Sequence, residues 1–146
     1  MTFARAFMAY SLLGALGAAS LAACDPRFVH ESDLRPAEIQ ALRGTWEGRA
    51  NLSYYTGKEC TRVYQWTLKV ADGNVSAEII DANMPSATPA RFTSFVDYDG
   101  SVHADLTVFG QDTFVLGTFN REGFVGNTKS RYCNYSIRLQ RRPGTP

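Results

Sequence analysis

Apolar and polar residues alternate with a period of two along most of the chain beyond Gly44. Within residues 44–55, every second position from Trp46 to Tyr54 is apolar or small, and the positions between them are polar. Side chains of a β-strand point alternately to its two faces, so this pattern predicts a strand with one buried face. Seven further segments show a similar alternation: residues 61–70, 75–80, 91–98, 101–109, 112–120, 123–130 and 133–141.

Short turns separate most of these segments. Asp72-Gly73 and Asp99-Gly100 are two-residue turn signals, and Gly110 interrupts the alternation between the fifth and sixth segments. Strands joined in this way pair with their neighbours in sequence, and pairing the last strand with the first removes both exposed edges. We therefore predict an all-β fold, an eight-stranded antiparallel up-and-down meander barrel preceded by a signal peptide and a short helical tether.

The beginning of the chain has a different composition. Arg5 is the one charged side chain before Cys24, and the residues from Ala6 onward are mostly Ala, Leu, Gly and Phe. A basic start, a short apolar run and small residues before a break are typical of a secretory signal peptide, whereas a transmembrane helix needs about 20 strongly apolar residues. We expect residues 1–23 to be a signal peptide that is cleaved.

Residues 21–24, LAAC, resemble the bacterial lipobox, in which a dedicated peptidase cuts before the cysteine. The resemblance implies a lipoprotein in which Cys24 carries a diacylglycerol and an N-acyl chain such as palmitate, and several acyl chains form a stable anchor. The protein would then face the periplasm in the bacterial cell envelope. Asp25 resembles the inner-membrane retention signal of enteric bacteria, but Pro26 follows it, so both membranes stay open. The alternative is an ordinary secretory leader with Cys24 unmodified.

Three regions follow the signal peptide in this interpretation. Residues 24–43 form a lipidated tether with one short helix, which Pro36 begins and Gly44 ends. Residues 44–142 form the barrel, and residues 143–146 form a disordered tail. The length of the mature chain is that of one domain.

The net charge argues against one class of partner. The chain has 15 Lys and Arg against 14 Asp and Glu, and removal of residues 1–23 takes away Arg5. A mature chain this close to neutrality lacks the basic surface that nucleic-acid binding needs. We expect a monomer that contacts the membrane through its anchor and does not bind nucleic acid.

Cys60 and Cys133 are the two cysteines outside the predicted lipidation site. An even number of cysteines in an exported chain predicts a disulfide, and two cysteines alone are too few for a structural zinc site. In a closed meander the last strand runs antiparallel beside the first, which brings these two cysteines to the same end. If Cys133 lies opposite Tyr54, Arg141 lies opposite Trp46, where its guanidinium can cover the indole.

Residues 44–46, GTW, follow a predicted helical turn and resemble the Gly-x-Trp start of the lipocalin and avidin-like barrels. Arg141 matches the arginine that packs on that tryptophan in lipocalins, and the similarity of strand pattern covers most of residues 44–142. Small bacterial barrels that inhibit proteases or lysozymes, several of them lipoproteins with one disulfide, look equally similar. The resemblance implies the architecture of a barrel and does not specify a ligand.

The sequence contains no pattern that predicts catalysis. Its two histidines are His30, in the tether, and His103, which faces outward with Asp105 two positions further on. Such a pair can orient an imidazole for base chemistry, but no nucleophile motif accompanies it. Metal-ligand spacings and a glycine-rich phosphate loop are also missing. We therefore expect a non-enzymatic protein without a metal or a cofactor.

Eight aromatic side chains fall on the predicted inward face of the strands. They either fill the barrel at native packing density or line a ligand pocket. Four of them, Tyr54, Tyr64, Trp66 and Tyr98, are the candidates for contacts with a ligand. The other four are Phe92, Phe114, Phe124 and Tyr135.

Two functions from different classes follow from this reading. In the first, a lipid-anchored barrel binds or inhibits another envelope protein through its loops. In the second, the barrel carries a small apolar ligand in its mouth, as lipocalins do. A filled interior would leave only the first of these functions.

Overall fold

The computed structural model describes residues 31–57, 59–108 and 110–144. Cys24, His30 and the predicted signal peptide lie outside these residues. Within the described ranges, one short helix, α1, precedes eight strands. The elements are α1 (Pro36–Gln40), β1 (Gly44–Tyr55), β2 (Val63–Ala71), β3 (Asn74–Asp81), β4 (Ala90–Phe95), β5 (Ser101–Val108), β6 (Gln111–Asn120), β7 (Gly123–Ser130) and β8 (Cys133–Arg141).

The strands form one antiparallel sheet in the order β4-β3-β2-β1-β8-β7-β6-β5. Each strand pairs with its neighbour in sequence except across β4 and β5, and β1 pairs with β8. At the β2–β3 turn, Asp72 and Gly73 both adopt positive φ, at 50° and 78°, as a two-residue hairpin turn requires. The predicted all-β, up-and-down arrangement is confirmed, and the sheet curls into a nearly closed barrel.

The pairing of β1 with β8 matches the prediction at one end and differs from it at the other. Trp46 lies opposite Arg141, as predicted. A register shift between Leu52 and Tyr54 then places Cys133 opposite Tyr55. The predicted pairing of Cys133 with Tyr54 is therefore wrong by one residue, because a β-bulge adds a residue to one strand without adding one to its partner.

The predicted disulfide between Cys60 and Cys133 is confirmed. It joins the connection after β1 to the start of β8, with the two Cα atoms 5.9 Å apart. That separation is within the usual range for a disulfide. The bond therefore links β1 to β8, the two strands whose pairing joins the first half of the sheet to the second.

The remaining seam of the sheet lies between β4 and β5. The prediction that closure removes both edges is wrong, because these two strands form no ladder with each other among the described residues. The Ser94 hydroxyl donates to the His103 carbonyl, and the Asp97 N–H donates to the Ser101 carbonyl at 2.8 Å. Beyond Phe95 the chain turns toward the β2–β3 hairpin, where Val96 N–H donates to Gly73. β4 thus ends early, and only the start of β5 is joined to it.

The core occupies the inside of the barrel. Phe119 lies between Trp46 and Phe124, with ring centroids 5.0 Å and 4.9 Å away. Gly117 permits this packing, because a Cβ there would lie 2.1 Å from the Phe124 ring. The other buried apolar residues of the barrel core are Ala50, Tyr64, Trp66, Leu68, Val70, Val75, Ala77, Ile79, Phe92, Val102, Val115, Cys133, Tyr135, Ile137 and Leu139.

The segment before β1 covers one end of the barrel. Ile39 of α1 is buried beside Gly100, in the β4–β5 connection. The Ser32 hydroxyl donates to the Phe119 carbonyl at 2.6 Å, and the Asp33 carboxylate accepts from the Arg121 N–H at 2.8 Å. The chain therefore reaches the barrel at this end. In the part of the chain that the structure describes, α1 is far too short to cross a membrane, and no other helix could do so.

We predict that Trp46→Ala lowers the free energy of unfolding by about 3–5 kcal/mol, because it removes a large ring from a packed core. Trp46 is 6% exposed. Arg141 places its guanidinium carbon 5.9 Å from the indole centroid. Because Arg141 is itself exposed, Arg141→Ala should cost only about 0.5–1 kcal/mol. Denaturant unfolding followed by circular dichroism measures both effects.

The matched control for this comparison is Glu47→Ala, on the exposed face of the same strand. Its ion pair with Arg142 is exposed, so we expect the free energy of unfolding to change by less than about 0.5 kcal/mol. If Trp46→Ala costs no more than this control, the packing of Trp46 against Phe119 described above is wrong.

A second prediction concerns the disulfide, which links residues 73 positions apart. On the chain-entropy model, a disulfide that closes a loop of this length stabilises the folded state by about 4 kcal/mol. Reduction should therefore lower the melting temperature, while the far-UV spectrum stays sheet-like below the transition because the strand ladders are unaffected. Thiol labelling of unfolded, unreduced Cys24→Ser protein should detect no free cysteine, and two reactive thiols would contradict the bond.

Candidate functional site

The connections between strands divide between two ends of the barrel. The β2–β3, β4–β5 and β6–β7 connections lie at the helix end, which α1 covers. The β1–β2, β3–β4, β5–β6 and β7–β8 connections lie at the opposite end, which we call the disulfide end because Cys60–Cys133 is located there. The two ends offer different chemistry.

Aromatic side chains are exposed at the disulfide end. Tyr54 is 59% exposed and Tyr55 is 64% exposed. The next residue, Thr56, donates its N–H to the Tyr132 carbonyl at 2.9 Å, so the β7–β8 turn lies beside them. The Arg131 guanidinium lies 5.2 Å from the centroid of the Tyr132 ring. We call Tyr54, Tyr55, Arg131 and Tyr132 the aromatic patch.

The bulge in β1 explains why part of this patch was not predicted. The alternation placed Tyr54 inside the barrel, and that orientation is wrong, because the register shift after Leu52 breaks the alternation. Two consecutive tyrosines at the end of a strand cannot both point inward. The sequence Tyr54-Tyr55 therefore indicates that at least one of the two tyrosines is exposed.

Two further aromatic residues lie outside the interior, against the prediction. Tyr98 is 91% exposed, because β4 ends at Phe95 and Tyr98 lies in the turn at the helix end. Phe114 is 38% exposed, with its ring 6.2 Å from that of His103. In β6 the buried positions are Thr113, Val115, Gly117, Thr118 and Phe119, so Phe114 falls on the outer face.

Tyr64 and Trp66 do face the interior, where they line a small cavity near the disulfide end. Its volume is about 30 Å³. Of the four residues predicted to contact a ligand, the structure brings these two together and places Tyr54 and Tyr98 elsewhere. The remaining lining residues are Ile79, Val108, Gln111, Thr113, Thr128, Ser130, Cys133 and Tyr135.

Hydrogen bonds fix the tyrosine rings at this cavity. The Tyr135 hydroxyl donates to the Thr61 carbonyl at 2.8 Å, and its ring lies 5.0 Å from that of Tyr64. The Thr61 hydroxyl donates to buried Asp81 at 2.7 Å. Burial, and then the neighbouring Tyr64 and Asp81, raise the pKa of the Tyr135 phenol above its ordinary value. Tyr135 therefore stays protonated and acts as a donor.

An open groove of about 830 Å³ runs along the outside of the sheet near the seam. Lys69, Phe95, His103 and Asp105 lie along it. Phe95 is one of the exposed aromatic residues of the described chain. The groove is open to solvent along the sheet, and its lining mixes charged, polar and apolar groups without enclosing a ligand.

His103 does not have the geometry of a catalytic triad. Its Nε2 lies 3.2 Å from the Ser101 hydroxyl and 3.9 Å from the Asp97 carboxylate. In a triad the carboxylate and the nucleophile contact different ring nitrogens, whereas here they contact the same one. The Ser101 hydroxyl donates to Asp99 at 2.6 Å, which holds the pKa of Asp99 below its usual range. Asp105, which the alternation places on the same outward face as His103, is not among these contacts.

No group of three or more His, Cys, Asp or Glu residues within 31–57, 59–108 and 110–144 is arranged to hold a metal ion. The described residues thus offer two candidate sites, the exposed aromatic patch and the small cavity lined by Tyr64 and Trp66. Comparisons of the chain with protein-family models, curated proteins and solved structures give no match.

Proposed function

We propose that this chain is a non-enzymatic, lipid-anchored protein of the bacterial cell envelope, whose barrel binds or inhibits another envelope protein through the loops at the disulfide end. The observation that carries the proposal is the combination of a packed interior with an exposed aromatic patch. The anchor and the compartment are inferred from the sequence of residues 1–24, which lie outside the described part of the chain.

The packed interior supports a function at the surface. Pockets for small ligands usually have volumes of about 300–1,000 Å³. The cavity lined by Tyr64 and Trp66 has a volume of about 30 Å³. The space is too small for a carried ligand of ordinary size, so we rank the small-ligand carrier second.

The composition of the aromatic patch supports a protein partner. Tyrosine and arginine are enriched among the residues that dominate protein–protein affinity. Tyr55 and its neighbour Tyr54 lie on a strand end that the disulfide and the β1–β8 ladder hold in place. A rigid backbone lowers the entropy lost on binding.

The position of the patch also fits a membrane anchor at Cys24. Ser32 contacts the helix end of the barrel, and it lies eight positions after Cys24. At full extension eight residues span about 28 Å. A lipidated Cys24 would therefore attach the barrel to the membrane through its helix end, which leaves the loops of the disulfide end free to contact partners in the periplasm.

Photo-crosslinking in living cells tests the protein-binding role. We predict that p-benzoylphenylalanine in place of Tyr55 gives a discrete covalent adduct with one protein, because the patch contacts the partner. The same residue in place of Tyr98, which is also exposed but lies at the helix end, should not give that adduct. Immunoblots and mass spectrometry of the adducts provide the readout. Identical adducts at both positions, or none at Tyr55, would contradict the proposal.

A separate prediction concerns the anchor. Cells fed an alkyne-tagged fatty acid should label the wild-type chain, and Cys24→Ser should abolish the label and leave unprocessed precursor. Cys60→Ser is the matched control, because it removes a cysteine but leaves the lipidation motif intact, so it should still be labelled. A wild-type N-terminal peptide that begins at an unmodified Cys24 in mass spectra would rule out the anchor.

A further inference from the structure

The indole N–H of Trp66 is a buried donor without an acceptor. Trp66 is 3% exposed and lines the cavity, and its Nε1, like that of Trp46, has no hydrogen-bond partner among the described residues. A buried donor left unpaired costs roughly 1–3 kcal/mol, and such groups are rare in native proteins. An acceptor within the barrel would remove that cost.

The cavity beside Trp66 has the size and the polarity to hold such an acceptor. Its volume of about 30 Å³ exceeds the roughly 10–15 Å³ that a cavity needs to hold one water molecule. Its wall includes the hydroxyls of Thr113 and Thr128 and the side-chain amide of Gln111. A bound water needs two to four polar partners, and these groups supply them.

The polar groups of the wall are only partly engaged with one another. The Gln111 amide donates to Cys133 Sγ at 3.6 Å, and sulfur is a weak acceptor. The Thr113 hydroxyl donates to the Gln111 carbonyl at 3.0 Å, and the Thr128 hydroxyl accepts from the Tyr135 N–H at 3.0 Å. The oxygens of Thr113 and Thr128 therefore keep capacity for another hydrogen bond.

We propose that this cavity is a binding site for one oxygen atom that accepts a hydrogen bond from Trp66 Nε1. The oxygen belongs either to a single water molecule or to the carboxylate of a small molecule that enters from the disulfide end. A water connects Trp66 on β2 with Thr113 on β6 and Thr128 on β7, across the inside of the barrel. A carboxylate, which only accepts, connects Trp66 with the Thr128 hydroxyl alone, because the Thr113 hydroxyl already donates to the Gln111 carbonyl. A ligand without such an oxygen would leave the indole donor unpaired, so the site selects against purely apolar ligands.

The indole N–H resonances of the ¹⁵N-labelled full chain test the proposal. The chain has two tryptophans, so Trp66→Phe and Trp46→Phe assign one resonance to each. If a lone water is bound, the Trp66 N–H shows a through-space cross-peak to water that added acetate does not change. If the site takes a carboxylate, acetate shifts the Trp66 resonance saturably and leaves Trp46 unmoved. A Trp66 resonance with neither property would overturn the proposal.

Two variants at Thr113 distinguish loss of the bound oxygen from a general loosening of the barrel. Thr113→Ile adds about one methylene of volume to the wall and should expel the oxygen, so that the cross-peak or the acetate shift is lost. Thr113→Val keeps the volume and removes only the hydroxyl, so a water cross-peak should persist, though weakened, and an acetate shift should persist unchanged. Unchanged strand resonances elsewhere show that both variants fold. Persistence of the full signal in Thr113→Ile would contradict the proposed position of the site.

Discussion

The fold depends on the pairing of its first strand with its last. The ladder between β1 and β8 runs from Trp46 opposite Arg141 to Tyr55 opposite Cys133. It brings the inward side chains of the two halves of the sheet together, so that Trp46 of β1 packs on Phe119 of β6. Such contacts between distant parts of the chain lose entropy when they form, and the disulfide at the far end of the ladder reduces that loss. The covered helix end and the exposed disulfide end both follow from this closure.

Much of the sheet could be predicted from the sequence, because a period of two is unambiguous where apolar residues stand on one face only. The predicted bounds of β7 and β8 agree with the structure, and so does Trp46 opposite Arg141. The bulge could not be predicted, since an extra residue changes the pairing without changing the composition. It moved Cys133 by one position in register and turned Tyr54 outward.

The candidate site was harder to predict than the strands. In β6 both alternating sets of positions contain large apolar side chains, so alternation alone cannot decide whether Phe114 or Val115 faces inward. The tertiary packing decides it, because Gly117 leaves room for the ring of Phe124 from the neighbouring strand. Tyr98 was assigned to a strand that ends earlier than predicted. Tyr64 and Trp66 were placed correctly, because the alternation of β2 is regular from Val63 to Ala71.

The open seam between β4 and β5 has a consequence for how the chain could be connected. The two ends of the barrel sequence already meet, since the Arg142 N–H donates to the Thr45 carbonyl at 2.8 Å. If residues 142 and 44 were joined through a linker, and the chain began at Ser101 and ended at Phe95, its strands would follow the sheet in order from one edge to the other. Circular permutation succeeds most often at exposed turns. In that connectivity the long-range pairing of β1 with β8 would become a contact between consecutive strands, and the sheet would have its edges at the ends of the chain.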